Sequence, residues 1–196
     1  MTDLARTVAD RGLRYVLFSF TDLFGVQRAK LVPASAVAAL AAEGAGFAGF
    51  AAWLHLTPAD PDVLALPDPA SLVVLPWQRD VGWVATDLQV EGTPLEQAPR
   101  RVLQQQLKRA EALGYQFRSG VEAEFFLLDP ERGGVADRLD CQSKPCYDQL
   151  SLMRRYPLIS DLLASMEELG WGPYQADHED ANGCLLYTSP SPRDRT

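Results

Sequence analysis

Pro99 opens a helix whose two ends are both written in the sequence. Proline suits the first helical turn, where its missing N–H would have had no partner. Leu103, Leu107, Ala110 and Leu113 then recur at helical spacing, and Gly114 follows as a residue that tolerates the positive φ of a helix end. This predicts a helix over residues 99–113 and divides the chain. Upstream, strands dominate. Residues 2–11 read as a short helix closed by Gly12, and Tyr15–Phe20 is rich in strand formers. Thr21–Gly25 reads as a turn, and residues 27–32 return as the partner strand. An alanine-rich helix is expected from Pro33 to Glu43 and a glycine-rich loop after it. Residues 57–69 read as a proline-punctuated loop, and strands are expected at 71–75 and 82–87. Downstream of the helix come a strand over 120–128, a loop with two cysteines, a helix over 157–169 ended by Gly170, and an extended segment over 174–179. The fold class is α+β, with a small first domain over residues 1–98 and a second beginning at 99.

Composition narrows the function. A formal charge of -8 works against binding a polyanion, because nucleic-acid affinity rests on Lys and Arg displacing counterions from phosphates. No apolar run approaches the roughly 18 residues of a membrane helix, and the first residues lack the basic-then-apolar order of a signal peptide. The expectation is a soluble, cytoplasmic protein without nucleic-acid or membrane partners. Cys141, Cys146 and Cys184 form an odd set with no disulfide-framework spacing and are expected to be free thiols.

Three patterns bear on chemistry. Gly44-Ala45-Gly46-Phe47-Ala48-Gly49 has the spacing of the dinucleotide fingerprint. That fingerprint needs a strand before it and a helix opening after it, whereas here a helical segment precedes, so a nicotinamide oxidoreductase finds no support. In Gly120-Val121-Glu122-Ala123-Glu124-Phe125-Phe126, residues two apart share a strand face, which sets Glu122 and Glu124 about 7 Å apart on one side. Two readings stand: a solvated strand end, or a pair of ligands for a hard cation such as Mg²⁺ or Mn²⁺. The third pattern, Asp177-His178-Glu179-Asp180, follows an extended segment from which Glu179 can converge on the same ions. His178, alone of its kind there, reads first as a structural hydrogen-bonding residue.

Together the run Pro99-Arg100-Arg101-Val102-Leu103, the segment Gly120 to Leu127, Phe18-Ser19-Phe20-Thr21-Asp22-Leu23-Phe24-Gly25, Pro76-Trp77 and His178-Glu179-Asp180-Ala181-Asn182-Gly183 resemble the glutamine synthetase family over residues 13–183. The likeness is to the glutamate-ammonia-ligase-like branch that includes γ-glutamylmethylamide synthetases. It implies an N-terminal β-grasp-like domain followed by the start of the catalytic domain. It also implies an ATP-dependent ligase that makes γ-glutamyl phosphate from glutamate and amidates it with ammonia or a small primary amine. By resemblance Glu122, Glu124 and Glu179 hold two Mg²⁺ or Mn²⁺ ions, ATP is co-substrate, and the complete protein is a homo-oligomeric ring. No catalytic residue is assigned, and the nucleotide-binding residues are unknown. Two departures stand out. Ala48 occupies a position where many ammonia-using members carry aspartate, which raises methylamine as an alternative. Gly183 is followed by Cys184-Leu185-Leu186 where the family commonly has Gln-x-Glu, which loses one metal-binding glutamate. Residues 184–194 also resemble the translation of a transposase adapter used for sequencing libraries. Residues 184–196 are therefore expected to be a foreign, disordered tail and the chain to be an inactive truncated ligase. The competing reading from another class is a noncatalytic assembly or binding module with solvated carboxylates.

Overall fold

In the computed structural model residues 3–188 are described, and they fall into two units that divide between Phe117 and Arg118. In the first, helix α1 (Asp3–Asp10) turns Leu4, Ala5 and Val8 inward and gives way to Gly12 at φ +65°. Strand β1 (Tyr15–Thr21) pairs antiparallel with β2 (Gln27–Pro33) in a register running from Tyr15 opposite Pro33 to Thr21 opposite Gln27. The turn between them is built on Asp22, whose buried carboxylate accepts from the N–H groups of Phe24 and Val26 at 2.9 and 3.0 Å and from Arg28 Nε at 2.8 Å. Burial works to raise this carboxyl's pKa. The two N–H groups and the guanidinium outweigh that and hold it below the usual value.

Helix α2 (Val37–Glu43) ends at Gly44, φ +84°. Then come β3 (Ala45–Phe47), β4 (Val63–Pro67), β5 (Val73–Leu75), β6 (Gln78–Val90) and β7 (Thr93–Pro94). The sheet runs in the order β2-β1-β6-β4-β3, with β5 and β7 also on β6, and β1 lies parallel to β6 while the other pairs are antiparallel. Leu4, Val8, Val16, Phe18, Val37 and Val84 form one buried cluster, and Phe20, Leu54, Val63, Ala65 and Leu88 another. Full burial of each such aliphatic or aromatic side chain contributes about 1.5–3 kcal/mol, which is what holds a sheet of this size together.

Several expectations change here. The glycine-rich segment is a strand at 45–47, and the proline-punctuated loop contains β4. In both, pairing to a neighbouring strand overrides weak local propensity. Helix α3 (Pro99–Ala112) lies where expected, yet none of its residues is buried, and Leu103 and Leu107 are exposed. It docks through polar groups instead. Arg100 Nε lies 3.0 Å from Asp87 Oδ1 on β6 and its Nη2 2.5 Å from Asp68, while Gln104 donates to Asp87 Oδ1 at 2.9 Å. Those contacts tie α3 to the first compact unit, which ends at Phe117.

The second unit holds β8 (Glu122–Phe126), α4 (Gln149–Arg154), α5 (Tyr156–Glu168), β9 (Gln175–His178) and β10 (Cys184–Thr188). Asp148 caps α4 by accepting from Ser151 N–H at 3.0 Å. The sheet order is β8-β10-β9. The expectation of a disordered tail from residue 184 is therefore corrected for residues 184–188: they form the central strand, hydrogen-bonded on both edges, with Cys184, Leu185, Leu186 and Thr188 buried. Leucine, tyrosine and threonine suit a pleated, covered position, and two flanking strands supply the partners that local pattern reading could not see. The rest of that segment, residues 189–196, lies outside the described residues. No helix among the described residues is long and apolar enough to cross a membrane.

Candidate functional site

The register of the second sheet decides which side chains meet. Glu122 lies opposite Thr188, Glu124 opposite Leu186, and Leu186 opposite Asp177. Paired residues share a face, and so do residues two apart along a strand. Glu122, Glu124 and Asp177 therefore stand on one side of the sheet with Leu186 between them. Glu179 continues that side past the end of β9, its N–H donating to the carbonyl of Cys184 at 3.0 Å.

The electrostatics agree with this placement. Asp177 is held above the ordinary carboxylate range, first by burial and then by the negative charges of Glu179 and Glu122, with His178 acting weakly the other way. Burial raises the Cys184 thiol, and Glu124 and Glu179 add to the effect. All three cysteines are free, as expected. Thr188 Oγ1, on the same face beside Glu122, is buried without a hydrogen-bond partner among the described residues.

This arrangement fits a hard divalent cation in its donor chemistry: carboxylate oxygens, an unpartnered hydroxyl and like-charge repulsion that a cation would relieve. It is not a closed cage. Among the described residues no three His, Cys, Asp or Glu side chains converge as a metal-holding group. Mg²⁺ is commonly held by one or two carboxylates together with water and phosphate, which is what pairs on this face can offer.

Glu122, Glu124 and Glu179, marked in the sequence, thus share one face. Asp177 was visible as part of an acidic cluster, and its place two residues before Glu179 was the signal that set it on their side. His178 points to the other face and is structural, as its isolation suggested. Its Nδ1 lies 2.8 Å from the carbonyl of Glu179 and its Nε2 2.7 Å from Asp140 Oδ2. Asp140 carried no sequence signal, being 38 residues away in an irregular loop.

In the first unit, the glycine fingerprint follows α2 and opens into β3, the reverse of a strand-to-helix phosphate loop. Ala48 is exposed at the end of β3, just before a 3₁₀ turn over Gly49–Ala52. Gly49 is required by space: a Cβ there would lie 2.3 Å from Leu56 Cδ1 and 2.9 Å from Val63 Cγ2. Trp53, at φ 48°, ends the turn, accepts from Leu23 N–H at 3.3 Å and meets Phe24 edge-on, with ring centroids 5.2 Å apart.

Comparison with known proteins places these features in a family context. Residues 96–185 match the glutamine synthetase catalytic domain. A glutamine synthetase of Rhizobium leguminosarum bv. phaseoli is 52% identical over 181 residues, covering 92% of this chain and 42% of the relative. A glutamate–methylamine ligase of Methyloversatilis universalis is 41% identical over 175 residues, covering 87% of this chain and 40% of the relative. A solved structure described as a GmaS/ADP complex superposes with a TM-score of 0.93 at 54% identity, covering 97% of this chain and 44% of that one. The chain spans about 42% of the length of the curated glutamine synthetases it matches.

Proposed function

The chain belongs to the glutamine synthetase family, and from that premise we propose that it supplies part of the active site of an ATP-dependent ligase joining the γ-carboxylate of glutamate to ammonia or a small primary amine. The observation that carries this reading is that Glu122, Glu124, Asp177 and Glu179 stand on one side of the second sheet, with Leu186 between Glu124 and Asp177. In the proposed reaction the γ-carboxylate attacks the terminal phosphorus of ATP and ADP leaves. The amine then attacks the γ-glutamyl phosphate, losing a proton as inorganic phosphate departs. Divalent cations, when bound, screen charge between the two anionic reactants and stabilise the transferring phosphoryl group. Glu122, Glu124 and Glu179 would hold Mg²⁺ or Mn²⁺, and Asp177 adds charge to the same surface. The first unit is read as β-grasp-like from its β1–β2 hairpin and the parallel pairing of β1 with β6.

Two refinements belong to the same proposal. Ala48 offers neither charge nor a hydrogen bond to an ammonium ion, which favours methylamine, whose methyl group gains from an apolar surround. Leu186 brings an isobutyl group into the centre of the acidic face, so phosphate release by the 196-residue chain with glutamate, ATP and either amine is expected to stay at background. The metal-binding step is tested by titrating Mn²⁺ into the purified chain and its Glu122→Ala, Glu124→Ala and Glu179→Ala variants. Weaker binding in each variant supports the ligase reading. Binding that is the same in all four proteins favours a noncatalytic module whose carboxylates are merely solvated.

A further inference from the structure

Beneath the acidic face lies a buried polar cluster that the proposed reaction does not use. His178 is 1% exposed at its side chain and Asp140 3%. Nδ1 of His178 faces the carbonyl oxygen of Glu179 at 2.8 Å, an atom that only accepts, so this nitrogen carries a proton and donates. Nε2 faces Asp140 Oδ2 at 2.7 Å. The same carboxylate oxygen accepts from the N–H of Gly183, and Asp140 Oδ1 receives Ser151 Oγ at 3.4 Å. A single carboxylate from the 137–148 loop thereby grips both ends of the turn that joins β9 to β10. Gly183 closes that turn at φ +79°, where a Cβ would lie 2.5 Å from Val135 Cγ1.

We propose that His178 and Asp140 are positioning residues: their clasp fixes the Glu179–Gly183 turn and so holds the Glu179 carboxylate in register with Glu122 and Glu124 on the opposite side of the sheet. The physical reason is the cost of the alternative. Asp140 is buried, and a buried carboxylate without partners is expensive, so the loop and the turn stay engaged as one body. Glu179 itself sits past the last residue of β9 and keeps one ladder bond, from its N–H to Cys184. Without the clasp its backbone carbonyl would lose its partner on the ring and the side chain its fixed starting point. Partners of this kind, one step removed from a bound ion, typically change metal affinity by about 10- to 100-fold when removed.

The inference rests on the ligase reading for its metal but not for its geometry, and two readouts separate them. The first is amide hydrogen exchange of Glu179, Gly183 and Cys184 in the intact chain, and the second is Mn²⁺ affinity from the free-ion paramagnetic resonance signal. Both are measured in wild type, Asp140→Ala, His178→Gln and an Ile159→Ala control, which removes a buried side chain of α5 but none of the clasp's hydrogen bonds. Selectively faster exchange at the turn in the first two variants, together with at least tenfold weaker Mn²⁺ binding and an unchanged control, is the expected result. Exchange that accelerates no more at the turn than in the control, or Mn²⁺ affinity that is unchanged while the turn loosens, overturns the positioning role. Should wild type bind no Mn²⁺ while the turn still loosens selectively, the metal reading fails and the clasp stands.

Discussion

Leu186→Glu is the substitution that asks most of the acidic face. Leu186 is 6% exposed and is paired directly with Glu124 on one side and Asp177 on the other. Replacing its side chain gives up about 2 kcal/mol of apolar burial. Directly paired residues lie about 5 Å apart at Cβ. At that distance two like charges repel by about 3 kcal/mol in a medium of effective dielectric about 20, and by less where water reaches them. Glu124 is exposed, so its share falls towards about 1 kcal/mol. The sum, about 4–6 kcal/mol, rivals the whole stability of an ordinary domain. Without cations the second unit of this variant should be close to unfolding. A cation that uses the new carboxylate reverses the sign, because binding at 100 times its dissociation constant returns about 2.7 kcal/mol to the folded state. The assay is a thermal melt of wild type and variant with and without millimolar Mn²⁺, followed by near-ultraviolet circular dichroism. A much lower midpoint for the metal-free variant and a larger Mn²⁺ rescue than in wild type are expected. A variant as stable as wild type without metal, or one that Mn²⁺ does not rescue beyond wild type, would refute the placement of these carboxylates around Leu186.

Three further outcomes are expected. Because the Asp22 carboxyl is held below its unfolded value, it adds stability above the unfolded pKa of about 4, and this is lost as pH falls through the folded value; the gap in urea midpoint between wild type and Asp22→Asn should be constant near neutrality and close in acid. Gly49→Ala should destabilise the first unit by about 1–3 kcal/mol, since the new methyl meets Leu56 and Val63 in a packed setting; a melt unchanged to within about 0.5 kcal/mol would mean the loop simply yields. In a complete relative carrying alanine at the matching position, the equivalent of Ala48→Asp should raise kcat/KM for ammonia relative to methylamine, and an unchanged ratio would remove the amine-selective role.

What the sequence disclosed and what it withheld divide along physical lines. The helix from Pro99 was legible because proline, leucine spacing and glycine all act within one turn of where they stand. The β1–β2 hairpin was legible for the same reason, with Asp22 and Gly25 in its turn. The face shared by Glu122 and Glu124 followed from strand alternation alone. By contrast, the leucine spacing of α3 says which face is apolar, not whether anything covers it, and none of its residues is buried. Arg100 and Gln104 dock the helix through Asp68 and Asp87, residues far away in sequence. Strands β3 and β4 were hidden by glycine and proline, whose local cost is offset by ladder bonds to β6 and to each other.

The segment from Cys184 shows the same limit from the other side. Its two Ser-Pro steps and lack of periodicity made the whole run read as loose tail, yet those prolines stand at residues 190 and 192, beyond Thr188. The five residues before them have what a central strand needs: no proline, two leucines, tyrosine and threonine. In this strand residues of both faces are buried, Leu185 on one and Cys184, Leu186 and Thr188 on the other, so it does not alternate and a search for alternation passes over it. Only the two partners reveal it, one contributed by Glu122–Phe126 and the other by Gln175–His178. Where the strand comes to lie also sets the chemistry. With β10 between β8 and β9, Glu124 of β8 is separated from Asp177 of β9 by the Leu186 side chain. The residue at 186 therefore decides whether the two acidic groups are bridged by a carboxylate or parted by a leucine.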